Sequence, residues 1–499
     1  MMAAKQSSSV RLADVVRDLV TRPYRGDCEI AGLAIDSRRV RPGDCFLAYA
    51  GSREDGARYI RAAAAAGAAA VLTEAAALLP GLNIPVLGVP DLRAQLPTIA
   101  RRFYGDPARH MSLIAVTGTN GKTTTAHLCA QALAALHGRS GYFGTLGYGS
   151  LDALEAGPNT TPDPITFQRV LADLAATGCA HVALEASSHA LEQGRLAQLP
   201  LAVAIFTGLG HDHLDYHGSI EAYAAAKARL FRLPGLKAAV INADDAYAPQ
   251  MLAALAPTTR AYTFSALANG GDAAVQALDV RCTRTGSAVH VRTWQGDFTL
   301  HSPLLGEFNV QNLLAALTAL MAAGTPAADA VRALAAALPV RGRMELVAGP
   351  AGAPLVCVDY AHSPDSLERV LRALRLPGVA RLICVFGCGG DRDRTKRAPM
   401  GAIAEAGADR VIVTTDNPRS EDPAAIAAEI CAGMRAPAAA LVELDRAAAI
   451  HAALAMAGPR DVVLIAGKGH EHTQIDARSV REFDDAAVAR ALLQGAARD

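Results

Sequence analysis

Apolar positions along the chain cluster in short β-branched runs. Each run ends in a polar or glycine-bearing stretch, and most of these lead into Ala- and Leu-rich segments with helical spacing. Buried strands alternating with helices predict a mainly parallel sheet whose ligand loops lie at the strand C-termini. Strands are expected at 31–35, 45–48, 114–117, 181–185, 202–206, 240–242, 356–359, 382–386, 410–414 and 461–466. Helices are expected at 57–66, 126–136 and 221–231, with a long one opening near 306–312. Tyr104-Gly105-Asp106-Pro107 interrupts the pattern, and Arg341-Gly342-Arg343-Met344-Glu345 marks a second change. The expected organisation is α/β in three domains: a small α/β domain at 1–108, a central P-loop-type, mainly parallel sheet at 109–343, and a Rossmann-like open sheet at 344–499.

Composition narrows the class. A chain of 499 residues can bury several cores, and 51% hydrophobic with 19% charged residues is globular rather than disordered. Lys+Arg and Asp+Glu are both 48, so no basic field argues for nucleic acid. Nine cysteines without CxxC pairing, two of them (Cys357, Cys384) inside apolar runs, suit a reducing cytoplasm. Residues 1–11 have no apolar core, so no signal peptide is expected. The most apolar window, 62–72, is closed by Thr73 and Glu74 and is too short to span a bilayer.

The strongest chemical signal is Val116-Thr117-Gly118-Thr119-Asn120-Gly121-Lys122-Thr123-Thr124. A strand, a glycine loop and a helix with Lys-Thr at its mouth make a phosphate cradle. Helix-start amides face the anion, Lys122 reaches the terminal phosphates, and the Thr123 hydroxyl can hold Mg²⁺. The bland alternative, a glycine turn with a surface lysine, does not explain the flanking strand and helix. Val116 stands where the usual motif has its first glycine. Further on, Glu185 ends an apolar strand, where a carboxylate is a candidate Mg²⁺ ligand or a helix cap. Three His and two Asp fall within 211–217, which could suggest zinc, but no cysteine or distant His pair completes a tetrahedral set. Lys227 by itself reads as a solvated helix lysine.

Three apolar strands of the last domain run into Gly387-Cys388-Gly389-Gly390-Asp391-Arg392, Asp416-Asn417-Pro418-Arg419 and Gly467-Lys468-Gly469-His470-Glu471. Loops of both signs at these strand tips suit a zwitterionic ligand, because Arg grips carboxylates bidentately and Asp or Glu holds an ammonium. The glycine cluster at 387–390 lacks dinucleotide-binding spacing.

The T-G-T-N-G-K-T-T loop resembles that of the Mur ligases and their folylpolyglutamate synthetase relatives, and the resemblance extends over nearly the whole chain. It implies ATP contacts from Gly118, Thr119, Asn120, Gly121, Lys122, Thr123 and Thr124, from the amides Asn309 and Asn312, and from Asp359. D-S-R…P-G-D-x-F-x-A…G-x-x-x-D-G is similar to the family's uridine-nucleotide domain. On that likeness Ile35, Ser37, Ser52, Arg53 and Glu54 meet the nucleotide. Asn159, Thr160, Thr161, Ser187, Gln193 and Arg195 meet the rest of that substrate. Glu185, His213 and Lys227 are implied as catalytic metal ligands alongside Thr123, with Lys227 modified to N6-carboxylysine so that an ammonium becomes an anionic oxygen donor. Where relatives read N-L-T-R, this chain has Gly208-Leu209-Gly210-His211.

D-N-P-R resembles the form in members that add meso-diaminopimelate, which implies Arg392, Asp416, Asn417, Pro418, Arg419, Gly467 and Glu471 as its site. The implied activity is ATP-dependent amide formation between UDP-MurNAc-L-Ala-D-Glu and meso-diaminopimelate through an acyl phosphate, in the cytoplasm, by a monomer. The third domain is expected to close onto the ATP site, and no general base for the amine is assigned. The competing expectations are a lysine-adding or later-step ligase, a folylpolyglutamate synthetase, and a nucleotide-gated binding protein without synthetase activity.

Overall fold

The computed structural model describes residues 9–20, 26–51, 54–74, 81–210, 212–267 and 271–495. The chain divides into two compact units, one comprising 1–115, 139–202 and 225–237, the other 116–138, 203–224 and 238–499.

In the first unit, Gly32–Ala34, Asp44–Ala48, Ala70–Thr73 and Val86–Gly88 form a parallel sheet in that order. Its side chains alternate between two faces. Cys45 and Leu47 join Leu12, Leu92 and Ile99 in one core, whereas Phe46 and Ala48 join Ile60 and Ala63 in another. This parallel strand, covered on both faces, is therefore apolar from Cys45 to Ala48. The expected helix at 57–66 starts as a 3₁₀ turn, Gly56–Tyr59, before Ile60–Ala65. Asp55 causes this by accepting from Ala57 N at 2.9 Å. The same unit pairs His181–Glu185 parallel to Gly141–Gly144, with Gly147–Ser150 and Ala153–Glu155 added antiparallel at the edge.

In the second unit, Ala238–Asn242 lies parallel between Val203–Phe206 of one strand and Arg260–Ser265. A meander of Val275–Thr283, Gly286–Thr293 and Gly296–Ser302 extends this sheet, its first strand parallel to Arg260–Ser265 and its own strands antiparallel to one another. The strand–helix pattern did not announce the meander. Helix Lys122–His137 begins four residues before the expected 126, directly at the glycine loop.

A six-stranded sheet follows, in the order Glu345–Val347, Leu355–Asp359, Val462–Ala466, Leu382–Phe386, Arg410–Val413, Leu441–Val442. All its pairings are parallel except that of the first strand. Strands 462–466, 382–386 and 410–413 are immediate neighbours, so the three charged loops after them open side by side. That is the crevice position of an open α/β sheet. Arg446 and Asp485, both fully buried, pair through two 2.7 Å bonds behind this edge, and Arg446 also donates to Ala466 O at 3.0 Å. Among the described residues no helix is long and apolar enough to cross a membrane.

Burial depresses two histidines, His127 on the glycine-loop helix and His470 in the last charged loop, to about 4. Between pH 6.5 and 4 the unfolded chain therefore binds protons that the fold refuses, and stability falls as the pH falls. Each histidine contributes at most about 1.4 kcal/mol per pH unit in that window. Urea midpoints are expected to drop from pH 7 to pH 5, and His127→Gln should flatten part of the slope; parallel profiles for the two proteins would contradict this.

Candidate active site

The glycine loop is held by its neighbours in the second unit. Gly118 (φ +151°) and Gly121 (φ +84°) adopt backbone conformations that L side chains rarely reach. A Cβ on Gly118 would overlap the Thr207 hydroxyl, and one on Gly121 the Asn312 carbonyl oxygen. Thr207 Oγ1 donates to Asn120 O at 2.6 Å, and Thr119 N donates to Gly208 O at 2.8 Å. Lys122 folds over the loop, its Nζ donating to Gly118 O and Thr119 O, both at 2.9 Å. Thr123 and Thr124 are buried in the first helical turn.

The departure at Gly208-Leu209-Gly210 has a local basis. Leu209 N donates to Asp245 Oδ2 at 2.8 Å, and a Cβ on Gly208 (φ +141°) would stand 2.9 Å from that oxygen. Gly210 N donates to Thr119 Oγ1 at 2.8 Å. The loop thus docks on the glycine loop through its backbone; His211 lies outside the described residues. His213 follows, half-exposed with φ +54°, its Nε2 3.5 Å from Asp212 Oδ2.

Asn309 and Asn312 form one internal chain. Asn309 Nδ2 donates to Leu305 O at 2.8 Å, Asn312 Nδ2 to Asn309 Oδ1 at 2.9 Å, and Thr125 Oγ1 to Asn312 Oδ1 at 3.2 Å. Both amides are buried, and they tie helix Glu307–Ala322 to the glycine-loop helix. Asp359 is also buried, its oxygens accepting from Met344 N (2.7 Å) and Ala361 N (2.8 Å), and desolvation raises its pKa. Asn120 Nδ2 donates to Asp365 Oδ2 at 2.8 Å.

Sequence reasoning missed Arg343. Its guanidinium lies 4.6 Å from the Tyr360 ring centroid and reaches the Thr123 hydroxyl at 3.3 Å. A cation on the residue expected at the phosphates is a natural anion contact. The only hint in the sequence was an arginine beside a glycine at the second boundary.

In the first unit, Glu185 is fully buried. Its Oε1 accepts from Tyr142 OH (2.6 Å) and Thr145 N (2.8 Å), while Oε2 lies 3.3 Å from Thr145 Oγ1. The expected substrate residues gather around it. Thr161 Oγ1 donates to Glu185 O at 2.7 Å and accepts from Ser187 N at 3.0 Å. Thr160 and Thr145 hydroxyls are 3.2 Å apart, and Tyr148 OH bonds the Asn159 carbonyl. Arg195 donates to Thr161 O (2.7 Å) and to Gln193 Oε1 through two nitrogens, and burial lowers its pKa.

Lys227 is 1% exposed, which overturns its reading as a solvated lysine. Helix Ile220–Ala228 turns Tyr223, Ala224 and Lys227 inward on one face, at i, i+1 and i+4. Ile35 packs partly buried on the first core, Ser37 opens a 3₁₀ turn, and exposed Glu54 accepts from Tyr59 OH at 2.6 Å. Ser52 and Arg53 lie outside the described residues.

The crevice of the six-stranded sheet brings its expected residues together. Arg419 (φ +51°) donates to Gly390 O at 2.7 Å. A Cβ on Gly389 would lie 3.0 Å from an Arg419 nitrogen and 3.8 Å from Arg392 Cγ, so both arginines flank that glycine. Pro418 O lies where a Gly390 side chain would go. Asn417 Nδ2 donates to Glu471 Oε2 at 2.7 Å, and a Cβ on Gly467 would stand 3.0 Å from Asp416 Oδ2.

A phosphate-cradling glycine loop and a mixed-charge crevice on an open sheet, carried by one α/β chain, define an ATP-dependent acid–amino-acid ligase. The chain belongs to the Mur ligase family: residues 29–104 match the family's catalytic domain, 116–320 the Mur ligase middle domain and 342–469 the glutamate ligase domain. It is 48% identical over 489 residues, 98% of each chain, to the UDP-N-acetylmuramoyl-L-alanyl-D-glutamate–2,6-diaminopimelate ligase of Xanthomonas oryzae pv. oryzae. It is 50% identical over 450 residues to the enzyme of that name from Pseudomonas aeruginosa, covering 90% of this chain and 92% of the other. A solved structure with the same name superposes with a TM-score of 0.72 at 37% identity, covering 98% and 99% of the two chains. A Mycobacterium tuberculosis folylpolyglutamate synthase complexed with ADP shares the fold, with a TM-score of 0.61 at 21% identity over 75% of this chain and 91% of the other.

Proposed function

We propose that the protein joins meso-2,6-diaminopimelate to the D-glutamate γ-carboxylate of UDP-MurNAc-L-Ala-D-Glu, using ATP, in peptidoglycan synthesis. The observation that carries this reading is the mixed-sign crevice of Arg392, Asp416, Asn417, Arg419 and Glu471 on a chain half identical to relatives so named.

A carboxylate is a poor electrophile. Transfer of the ATP γ-phosphoryl to it gives an acyl phosphate, which the diaminopimelate amine attacks with loss of phosphate. The 118–124 loop holds the triphosphate with its amides, and Lys122 with Arg343 neutralises charge on the transferring group. Asp359 and the Asn309–Asn312 chain serve the nucleoside end, the first at the ribose and the second by fixing the loop helix. Residues 1–108 hold the uridine nucleotide through Ile35, Ser37 and the 52–54 loop. Asn159, Thr160, Thr161, Ser187, Gln193 and Arg195 take the muramyl-dipeptide, and 344–499 takes the amino acid.

The donor chemistry also fits Mg²⁺. Thr123 brings a hydroxyl, Glu185 a buried carboxylate, His213 an imidazole, and Lys227, as a carbamate, another anionic oxygen. An Mg²⁺ ion held by such donors would supply further charge neutralisation on the phosphoryl oxygens. Exclusion of water at the acyl phosphate protects it from hydrolysis.

Phosphate release from ATP with the uridine-muramyl-dipeptide present tests the reading. Release should require meso-diaminopimelate. Release driven by lysine instead would overturn the substrate, and release indifferent to any amino acid would favour a nucleotide-gated binding protein.

Arg419 is poised to exchange its carbonyl partner for a substrate carboxylate. Arg419→Ala should raise the diaminopimelate KM by about tenfold to a hundredfold, the value of a charge-assisted pair at about 1.5–3 kcal/mol, with kcat little changed. Unchanged KM and kcat would remove it from the site.

A further inference from the structure

The crevice also holds a fully buried cation. Lys468 follows strand Val462–Ala466 by two residues, and its side chain is 0% exposed. Its Nζ donates to Asn417 Oδ1 at 3.1 Å and to Thr473 O at 2.6 Å. It also lies 3.5 Å from Glu471 Oε2 and 3.6 Å from Asp416 Oδ1. Burying an ammonium is costly unless it is paired and hydrogen-bonded, and this one is both.

We propose that Lys468 is a positioning and specificity-determining residue for the amino-acid substrate, an assignment that rests on the crevice being the diaminopimelate site. Two consequences of the geometry carry it. The first concerns the Asn417 amide. Its oxygen accepts from Lys468 Nζ and from Ile475 N at 2.9 Å, so its NH₂ is forced toward Glu471, to which it donates at 2.7 Å. An amide can point either way, and the donors on its oxygen together with the acceptor on its nitrogen settle which. Lys468, together with Ile475 N, therefore fixes the orientation in which Asn417 holds Glu471 in place.

The second concerns charge. Asp416 and Glu471 together carry two negative charges against one positive on Lys468. The cluster keeps one net negative charge, the complement of a single substrate ammonium. Asp416 Oδ1 is buried and has no hydrogen-bond partner among the described residues, so an acceptor remains for such a donor. The substrate's carboxylate is left to Arg392 and Arg419 on the neighbouring loops. Without Lys468 the two carboxylates would repel each other, and the Asn417 oxygen would be left with Ile475 N alone.

Lys468→Met removes the charge and keeps most of the volume. Steady-state kinetics should show the diaminopimelate KM raised at least tenfold, with the KM values for ATP and the uridine substrate within twofold of wild type and kcat within about threefold. Lys468→Met should change the diaminopimelate KM much less in a Glu471→Gln background, where the like-charge pair no longer exists. Because Lys468→Met could unfold the crevice, Asn417→Asp provides a second arm: its oxygens still accept from Lys468 and Ile475, but it cannot donate to Glu471, so it too should raise the diaminopimelate KM selectively. Equal rises in all three KM values tracking a lowered Tm would make Lys468 a structural staple and overturn the proposal, as would an unchanged diaminopimelate KM in Lys468→Met. A wild-type protein that turns over another amino acid and ignores meso-diaminopimelate would instead overturn the substrate reading.

Discussion

Replacing Lys122 with alanine is expected to lower kcat by about a thousandfold, about 4 kcal/mol of transition-state stabilisation. Lys122 Nζ rests on Gly118 O and Thr119 O, so it already stands over the loop that cradles the phosphates. Negative charge on the transferring phosphoryl develops there, and a cation held by two carbonyls needs little reorganisation to meet it. Helix Lys122–His137 stays packed through Ala126, Leu128, Cys129 and Leu133, all buried, so the variant should keep its urea midpoint. Phosphate-release kinetics with saturating ATP distinguish the outcomes. A raised ATP KM with unchanged kcat would reduce Lys122 to a ground-state contact.

Lys227→Ala is expected to abolish measurable turnover, and added bicarbonate should not restore it. The side chain is almost wholly buried on the inward face of helix Ile220–Ala228. As an ammonium it would repel a divalent cation; reaction of its neutral amine with CO₂ releases a proton and leaves an anionic oxygen donor of the kind Mg²⁺ takes. Alanine has no amine to react, hence no rescue. Wild-type protein equilibrated with ¹³C-bicarbonate should show a carbamate carbon resonance that Lys227→Ala lacks. Full activity in the variant, or the same resonance in both proteins, would take Lys227 out of this role.

Much of this protein could be read from local pattern. Strands buried on both faces must be apolar through their interior, so Asp44–Ala48, His181–Glu185, Leu382–Phe386 and Val462–Ala466 stand out as runs with polar residues only at their ends. Loops that need positive φ or close backbone approach call for glycine, which marks Gly118 and Gly121. Because ligand loops follow strand tips, the candidates at 118–124, 416–419 and 467–471 come with the strands.

Local pattern could not supply what depends on partners far along the chain. Lys227 looks solvated until its helix is packed, because a mostly alanine helix does not say which face is covered. Asn312 meets Thr125 across 187 residues, and Arg343 meets Thr123 across 220. The antiparallel meander at 275–302 and the pairing of Lys468 with Asn417 likewise exist only once the sheets are assembled. Composition and periodicity placed the strand tips and the residues available at them. Which of those side chains are buried, and against which charge, was decided by tertiary packing, since burial and ion pairing are properties of neighbours in space rather than in sequence.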